Sequence, residues 1–351
     1  MAFTTINDPS KHRQIAIYTG NGSSQSITFG GNSDMQPDWL WTKNRNSTFD
    51  PIMRDTSRGI ANRLLVHATD AEGGATGTTA FNSDGFSLDS TNTVNNNTNT
   101  YVAWGWKANG GTRTTNSESG NNPAGGYQAN TTAGFSIVDY TGTGAAGTMA
   151  HGLGAVPTFM IVKNRDEAVD WAVYHQEMRT DGNDSYLEIN TSDAAATAGT
   201  VWNDTTPTST VFTVGSNNKT NKDGVKYIAY VFTPIQGYSK FGKYVGNANN
   251  EGPFVYTGFK VKWLMVKNAS GVDNWALHDA TRNPSNGNDG ELFPNENYAE
   301  STGTVRFDFL SNGFKVRHTG SAVNDNGDTI VYMAFAEHPF ASSTGTPATG
   351  R

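Results

Sequence analysis

Three tandem antiparallel β-sandwich domains of jelly-roll-like type, an all-β chain, are what this sequence predicts. One block of motifs returns three times, and its apolar runs, rich in Val, Ile, Phe, Tyr and Trp, are bounded by Asn-Gly, Asp-Gly and Gly-Gly turn signals. Hardly any segment carries helical spacing; Ala61 to His67 and Glu167 to Arg179 come nearest.

The block opens on Tyr18-Thr19-Gly20-Asn21-Gly22, which returns as Tyr140-Thr141-Gly142-Thr143-Gly144 and as Tyr244-Val245-Gly246-Asn247. An apolar strand closed by Lys-Asn follows, at Trp39 to Asn44, Phe159 to Asn164 and Trp263 to Asn268. Consecutive apolar positions predict burial on both faces, hence a central place in the sheet. A strand start at Gly85-Phe86 matches Gly313-Phe314, with Val211-Phe212 in the middle copy. An aromatic strand ends each unit, and aligning Tyr101-Val102-Ala103-Trp104, Tyr227-Ile228-Ala229-Tyr230 and Tyr332-Met333-Ala334-Phe335 makes Trp104, Tyr230 and Phe335 equivalent core positions. Trp39, Phe159 and Trp263 form a second such set.

The three lysines lie 120 and 104 residues apart, a domain-sized repeat. The units are 1–107, 133–235 and 236–340, with a Gly/Asn/Thr-rich connector over 108–132 and a flexible tail over 341–351. Such a connector predicts that the first unit moves against a rigid pair formed by the other two.

Composition removes several function classes. The 351 residues carry 25 basic and 32 acidic side chains, a net charge of −7 with no basic run, so nucleic acid is a poor partner. No apolar stretch is long enough for a membrane helix, so no membrane insertion is expected. The absence of cysteine and the polar opening of the chain predict folding in a reducing cytosol without a signal peptide.

Gly142-Thr143-Gly144-Ala145-Ala146-Gly147 satisfies G-x-G-x-x-G, but His151-Gly152-Leu153-Gly154 and Pro157 deny it the helix a dinucleotide site requires. It reads as a turn. Asp55-x-x-Arg58 and Asp279-x-x-Arg282 read as ion pairs bracing a loop, with His175 to Arg179 in their place in the second unit. The histidines lack zinc-ligand spacing, and the Asn/Asp clusters near 286–291 and 324–328 lack the EF-hand glutamate. No catalytic residue, cofactor or metal is expected. Tyr127, Tyr186, Trp202 and Tyr298 lie in loop-like stretches and are the candidate surface contacts.

The opening Met1 to Ser10, Tyr18 to Gly22, Pro37-Asp38-Trp39-Leu40-Trp41-Thr42-Lys43-Asn44-Arg45, Asp84-Gly85-Phe86, His151 to Gly154 and Ser311-Asn312-Gly313-Phe314-Lys315 resemble a family of structural proteins of marine and freshwater tailed bacteriophages. The resemblance spans nearly the whole chain. It departs from the family pattern where Phe49-Asp50-Pro51-Ile52-Met53 replaces a Trp-bearing strand. It implies a non-enzymatic virion protein, tail fibre or head decoration, that assembles as a homo-oligomer with other phage proteins and contributes to host attachment, a host-surface glycan being the second candidate partner. A lectin-like adhesin and a tailspike-like polysaccharide depolymerase are the alternatives; the latter requires two carboxylates across a cleft.

Overall fold

The computed structural model describes residues 3–74, 76–117, 119–178 and 185–347. Among these residues every paired strand is antiparallel, and the three α-helices have four residues each. In the first unit Arg13–Thr19 pairs with the last strand, Thr100–Trp106, which is followed across the sheet by Trp39–Asn44 and Ile52–Asp55. A smaller sheet contains Gln25–Ile27, Phe86–Leu88 and Thr78–Phe81. The second unit repeats the order with Phe135–Thr141, Lys226–Phe232, Phe159–Asn164 and Ala172–His175, and the third with Ser239–Val245, Thr329–Pro339, Phe259–Asn268 and Ala276–Asp279. Both stretches with helical spacing contain strand, at Leu64–Leu65 and Ala172–His175, because pairing with the adjacent strand outweighs a short, weak periodicity; the second adds a single 3-10 turn, Gln176–Met178, and its last residue, Arg179, lies outside the described residues.

The Lys-Asn strands are central and buried throughout, as their composition predicts. Side chains alternate between faces. Leu40 packs with Phe86 and Leu88 inside the first sandwich, Met160 and Val162 with Phe212 in the second, and Leu264 and Val266 with Phe314 in the third. Their neighbours Trp39 and Trp41, Phe159 and Ile161, and Trp263 and Met265 point the other way, into a fourth core to which all three units contribute. Aromatic contacts cross every seam. Trp39 stacks on Tyr230 at 4.5 Å, Phe159 on Phe241 at 5.8 Å, and Trp106 meets Trp263 edge-on at 5.6 Å. Near the chain ends Phe3 lies 5.7 Å from Phe340, and Thr4 Oγ1 donates to the Gln236 carbonyl at 3.0 Å.

This shared core corrects the expectation of a mobile first unit. The stretch 108–132 contains the strands Thr114–Asn116 and Ala124–Asn130, and the latter extends the second unit's sheet beside Phe135–Thr141. A Gly-rich segment has little side chain to bury, but its backbone bonds an edge as well as any other.

The alignment of the closing strands also changes. Trp104 pairs across with Trp41, Tyr230 with Ile161 and Met333 with Met265, so Met333 is the equivalent of Trp104 and Tyr230. Phe335 matches Trp106 and Phe232 instead. A two-residue slip keeps every side chain on its face, so the apolar pattern alone could not detect it.

The recurring Tyr-x-Gly motif acquires a physical role. Tyr18, Tyr140 and Tyr244 donate their hydroxyls to the carbonyls of Val94, Thr220 and Val323. The next residues, the buried Asn95, Asn221 and Asn324, accept from the backbone of Asn21, Thr143 and Asn247. The glycine between is packed against backbone: a Cβ on Gly20, Gly142 or Gly246 would lie 2.1, 2.2 or 2.0 Å from a carbonyl oxygen. Gly142→Ala is therefore expected to destabilise the chain by about 1 to 3 kcal/mol in urea melts, because the crowding atom is backbone and cannot rotate away. An unchanged midpoint would show that the turn has room the packing denies it.

Candidate functional site

The Lys-Asn pair divides its work. Asn44, Asn164 and Asn268 each accept two backbone N–H bonds from the turn that follows. The lysines reach into the neighbouring unit. Lys43 Nζ donates to the Glu296 carbonyl at 3.0 Å, Lys163 to Thr69 at 2.8 Å and Lys267 to Ser192 at 3.2 Å, so the units hold one another in cyclic order. Burial pushes the three ammonium groups down, to about 7, 8 and 8, against nearby carboxylates that act to raise them.

A buried lysine that sheds its proton early makes the folded state the poorer proton binder, so stability rises with pH between the folded values and the ordinary value near 10. Between pH 7 and 9 the gain is expected to be about 1 to 2 kcal/mol per lysine. A melting temperature that climbs over this interval in the native chain, and climbs less in Lys163→Met, is the expected result. A flat profile would contradict it.

The Asp-x-x-Arg pairs serve the seams as well. Asp55 Oδ2 takes Arg58 Nε at 2.6 Å and the Tyr230 hydroxyl of the second unit at 2.7 Å. Asp279 Oδ2 takes Arg282 Nε at 2.6 Å and Trp104 Nε1 of the first unit at 3.0 Å. At the third seam His175 stands in their place, with Nε2 3.2 Å from the Tyr332 carbonyl. Burial lowers its pKa to about 4, leaving it neutral. Glu72 clamps Arg58 and Arg165, and Glu300 clamps Arg282 and Arg45, whereas Ala195 and Ala269 make only the corresponding backbone bond. Where Pro51 replaces Trp171 and Trp275, a shallow crevice, too narrow to admit a water, is lined by Trp104, Leu292 and Pro294.

A concavity of about 460 Å³ opens at the seam of the first and third units. Its floor includes consecutive residues of the edge strand, Arg13 to Ile17, and its far wall includes Lys262, Thr281 and Glu337. Arg13 occupies the strand position filled by Phe135 in the second unit and Ser239 in the third. Its guanidinium sits 5.4 to 5.8 Å from the rings of Trp106, Trp263 and Phe335, and its buried Nε and Nη2 have no hydrogen-bond partner among the described residues. Burial lowers its pKa to about 10, so it remains a cation at neutral pH. The sequence signal for this site was a charge at an inward strand position, visible only once the three units are aligned.

The sequence-selected aromatics do not converge. Tyr298 is 53% exposed. Tyr127 and Tyr186 are half-buried against the second unit's core, where the Tyr127 ring fills the space over Gly152. Trp202 is fully buried and packs edge-on to Tyr174 at 5.7 Å, so it is a core residue and not a surface contact; a polar surrounding sequence hid an inward-facing turn of helix. Gly142 to Gly147 forms the turn between Phe135–Thr141 and Gly147–Ala150, with no helix behind it. The acid-rich clusters are spent on structure: Asp328 accepts from Asn268, Asp289 from Asn283, and Glu291 pairs with Arg306.

No curated protein and no solved structure matches the chain. One family model does, across residues 8–339, and so embraces all three sandwiches and the strands between them. The chain thus belongs to the family described as Domain of unknown function (DUF7483).

Proposed function

We propose that the chain is a non-enzymatic structural component of a tailed-phage virion, attached to other virion proteins and presenting loops outward for host contact. The observation that carries this reading is the commitment of its buried charges to cohesion: Asp55, Asp279 and the three Lys-Asn lysines hold neighbouring units together. A body so tied suits a rigid platform whose loops vary while its scaffold does not. The resemblance of its motifs to phage structural proteins points the same way.

Mass spectrometry of gradient-purified particles tests the proposal. The chain should be recovered at a fixed ratio to the major capsid protein and survive high-salt washing. Its absence from the particles would overturn the proposal. So would release of reducing ends from host polysaccharide that ceases when one carboxylate is replaced.

A further inference from the structure

The three units leave their first strands in different situations. The edge of Phe135–Thr141 is covered by Ala124–Asn130 in antiparallel register, with Asn130 opposite Phe135 and Gln128 opposite Ile137. Gln128 donates to Thr56 Oγ1 and Ser57 Oγ of the first unit, both at 2.7 Å. The edge of Ser239–Val245 is met by the turn Gln176–Met178, through Lys243 and Glu177. The edge of Arg13–Thr19 faces the 460 Å³ groove.

That groove repeats the setting of the covered strand. Thr281 follows Asp279 by two residues as Ser57 follows Asp55, and it lines the groove wall where Ser57 meets Gln128. The ladder to Thr100–Trp106 shows which groups are free. Lys107 N–H donates to the His12 carbonyl and Gly20 N–H to Asn99, so the even-numbered residues spend their backbone on the inner neighbour. In an antiparallel ladder the alternate residues, Arg13, Ile15 and Ile17, then turn N–H and C=O to the open edge. Ile17 is 47% exposed.

We propose that this edge accepts an extended peptide segment of a partner protein as an added antiparallel strand, with a carboxylate side chain opposite Arg13. Backbone bonds to Arg13, Ile15 and Ile17 hold the segment, as strand addition does generally. Residues directly opposite in a ladder share a face with Cβ atoms about 5 Å apart. An Asp or Glu at the position equivalent to Asn130 therefore lies beside the Arg13 guanidinium, whose unpaired N–H groups call for a charged acceptor. A polar side chain two residues earlier reaches Thr281 as Gln128 reaches Ser57. The proposal does not depend on the chain being a virion component.

The probe is a synthetic peptide of residues 122–132 of this chain, in its native form and with Asn130→Asp, titrated into the full-length protein. The Asp peptide should bind at least about fivefold more tightly than the native one, and this margin should shrink in high salt. Amide hydrogen exchange at Arg13, Ile15 and Ile17 should slow on binding. Ile17→Pro removes an N–H that faces the open edge, where proline is tolerated. It should abolish binding while leaving the thermal melt within about 2 °C. Absence of binding by either peptide up to about 1 mM, equal affinities for the two peptides, or binding indifferent to Ile17→Pro would each overturn the proposal. Concentration-dependent dimerisation lost in Ile17→Pro would assign the edge to a second copy and overturn it equally.

Discussion

Trp39→Ala is expected to cost the whole chain about 3 to 5 kcal/mol, the range for truncating a large buried aromatic, and to do so within a single unfolding transition. Trp39 is 1% exposed and touches Trp41, Trp106, Phe135, Tyr230 and Phe232, residues from two units. Because the cavity opens in the core common to all three, no unit retains its packing while the first one loosens. Calorimetry of the variant should show one endotherm moved downward. Two endotherms, with the first unit melting early, would mean that the sandwiches are independent and the shared core is incidental.

Asp279→Ala is expected to have an effect of similar size, about 3 to 5 kcal/mol, since it takes from the buried Arg282 guanidinium one of its two carboxylates, leaving Glu300 as the other, and leaves Trp104 Nε1 without its acceptor. Arg282 and Asp279 are both fully buried, and the carboxylate also accepts from the backbone of Thr281 and Arg282 and from Trp104 Nε1. Burial acts to raise the Asp279 pKa, but Arg282 and these donors outweigh it and hold the group below its ordinary value. Its contribution is therefore present above the usual carboxylate range and is lost as the pH falls through the depressed value. Urea melts at pH 7 should show the loss, and a Trp104 fluorescence change should accompany it. Asp279→Asn keeps the shape and some of the acceptors and should cost less. A loss below about 1 kcal/mol for Asp279→Ala would place the pair in solvent.

Strand content and the buried character of the Lys-Asn strands were legible in the sequence because period and composition report directly on faces. What covered the second face was not. Leu40 and Trp41 are both apolar, and nothing in the alternation distinguishes a sandwich interior from an interface with another unit. Likewise Asp55 and Arg58 announced a local ion pair, whereas Tyr230, which completes it, lies 175 residues away. The buried role of Asn95, Asn221 and Asn324 was not legible either, since it depends on contacts made far along the chain. Trp202 was misplaced for the same reason that the connector was: polar, Gly-rich surroundings describe a segment's own side chains, not the surface it settles on. Arg13 is the sharpest case, a residue whose meaning emerges only by comparison with Phe135 and Ser239.

Fusion of the three sandwiches into one polypeptide has a consequence for valence. An assembly of three identical subunits would offer every edge three times, and any partner binding one would bind all, inviting branched networks. Here the corresponding edges have diverged: one is filled by the chain's own Ala124–Asn130, one is met by Gln176–Met178, and one borders the groove at Arg13. With near-threefold packing inside, the body thus presents three unlike edges outside, and a strand added at the Arg13 groove as proposed would meet each molecule once and in one orientation.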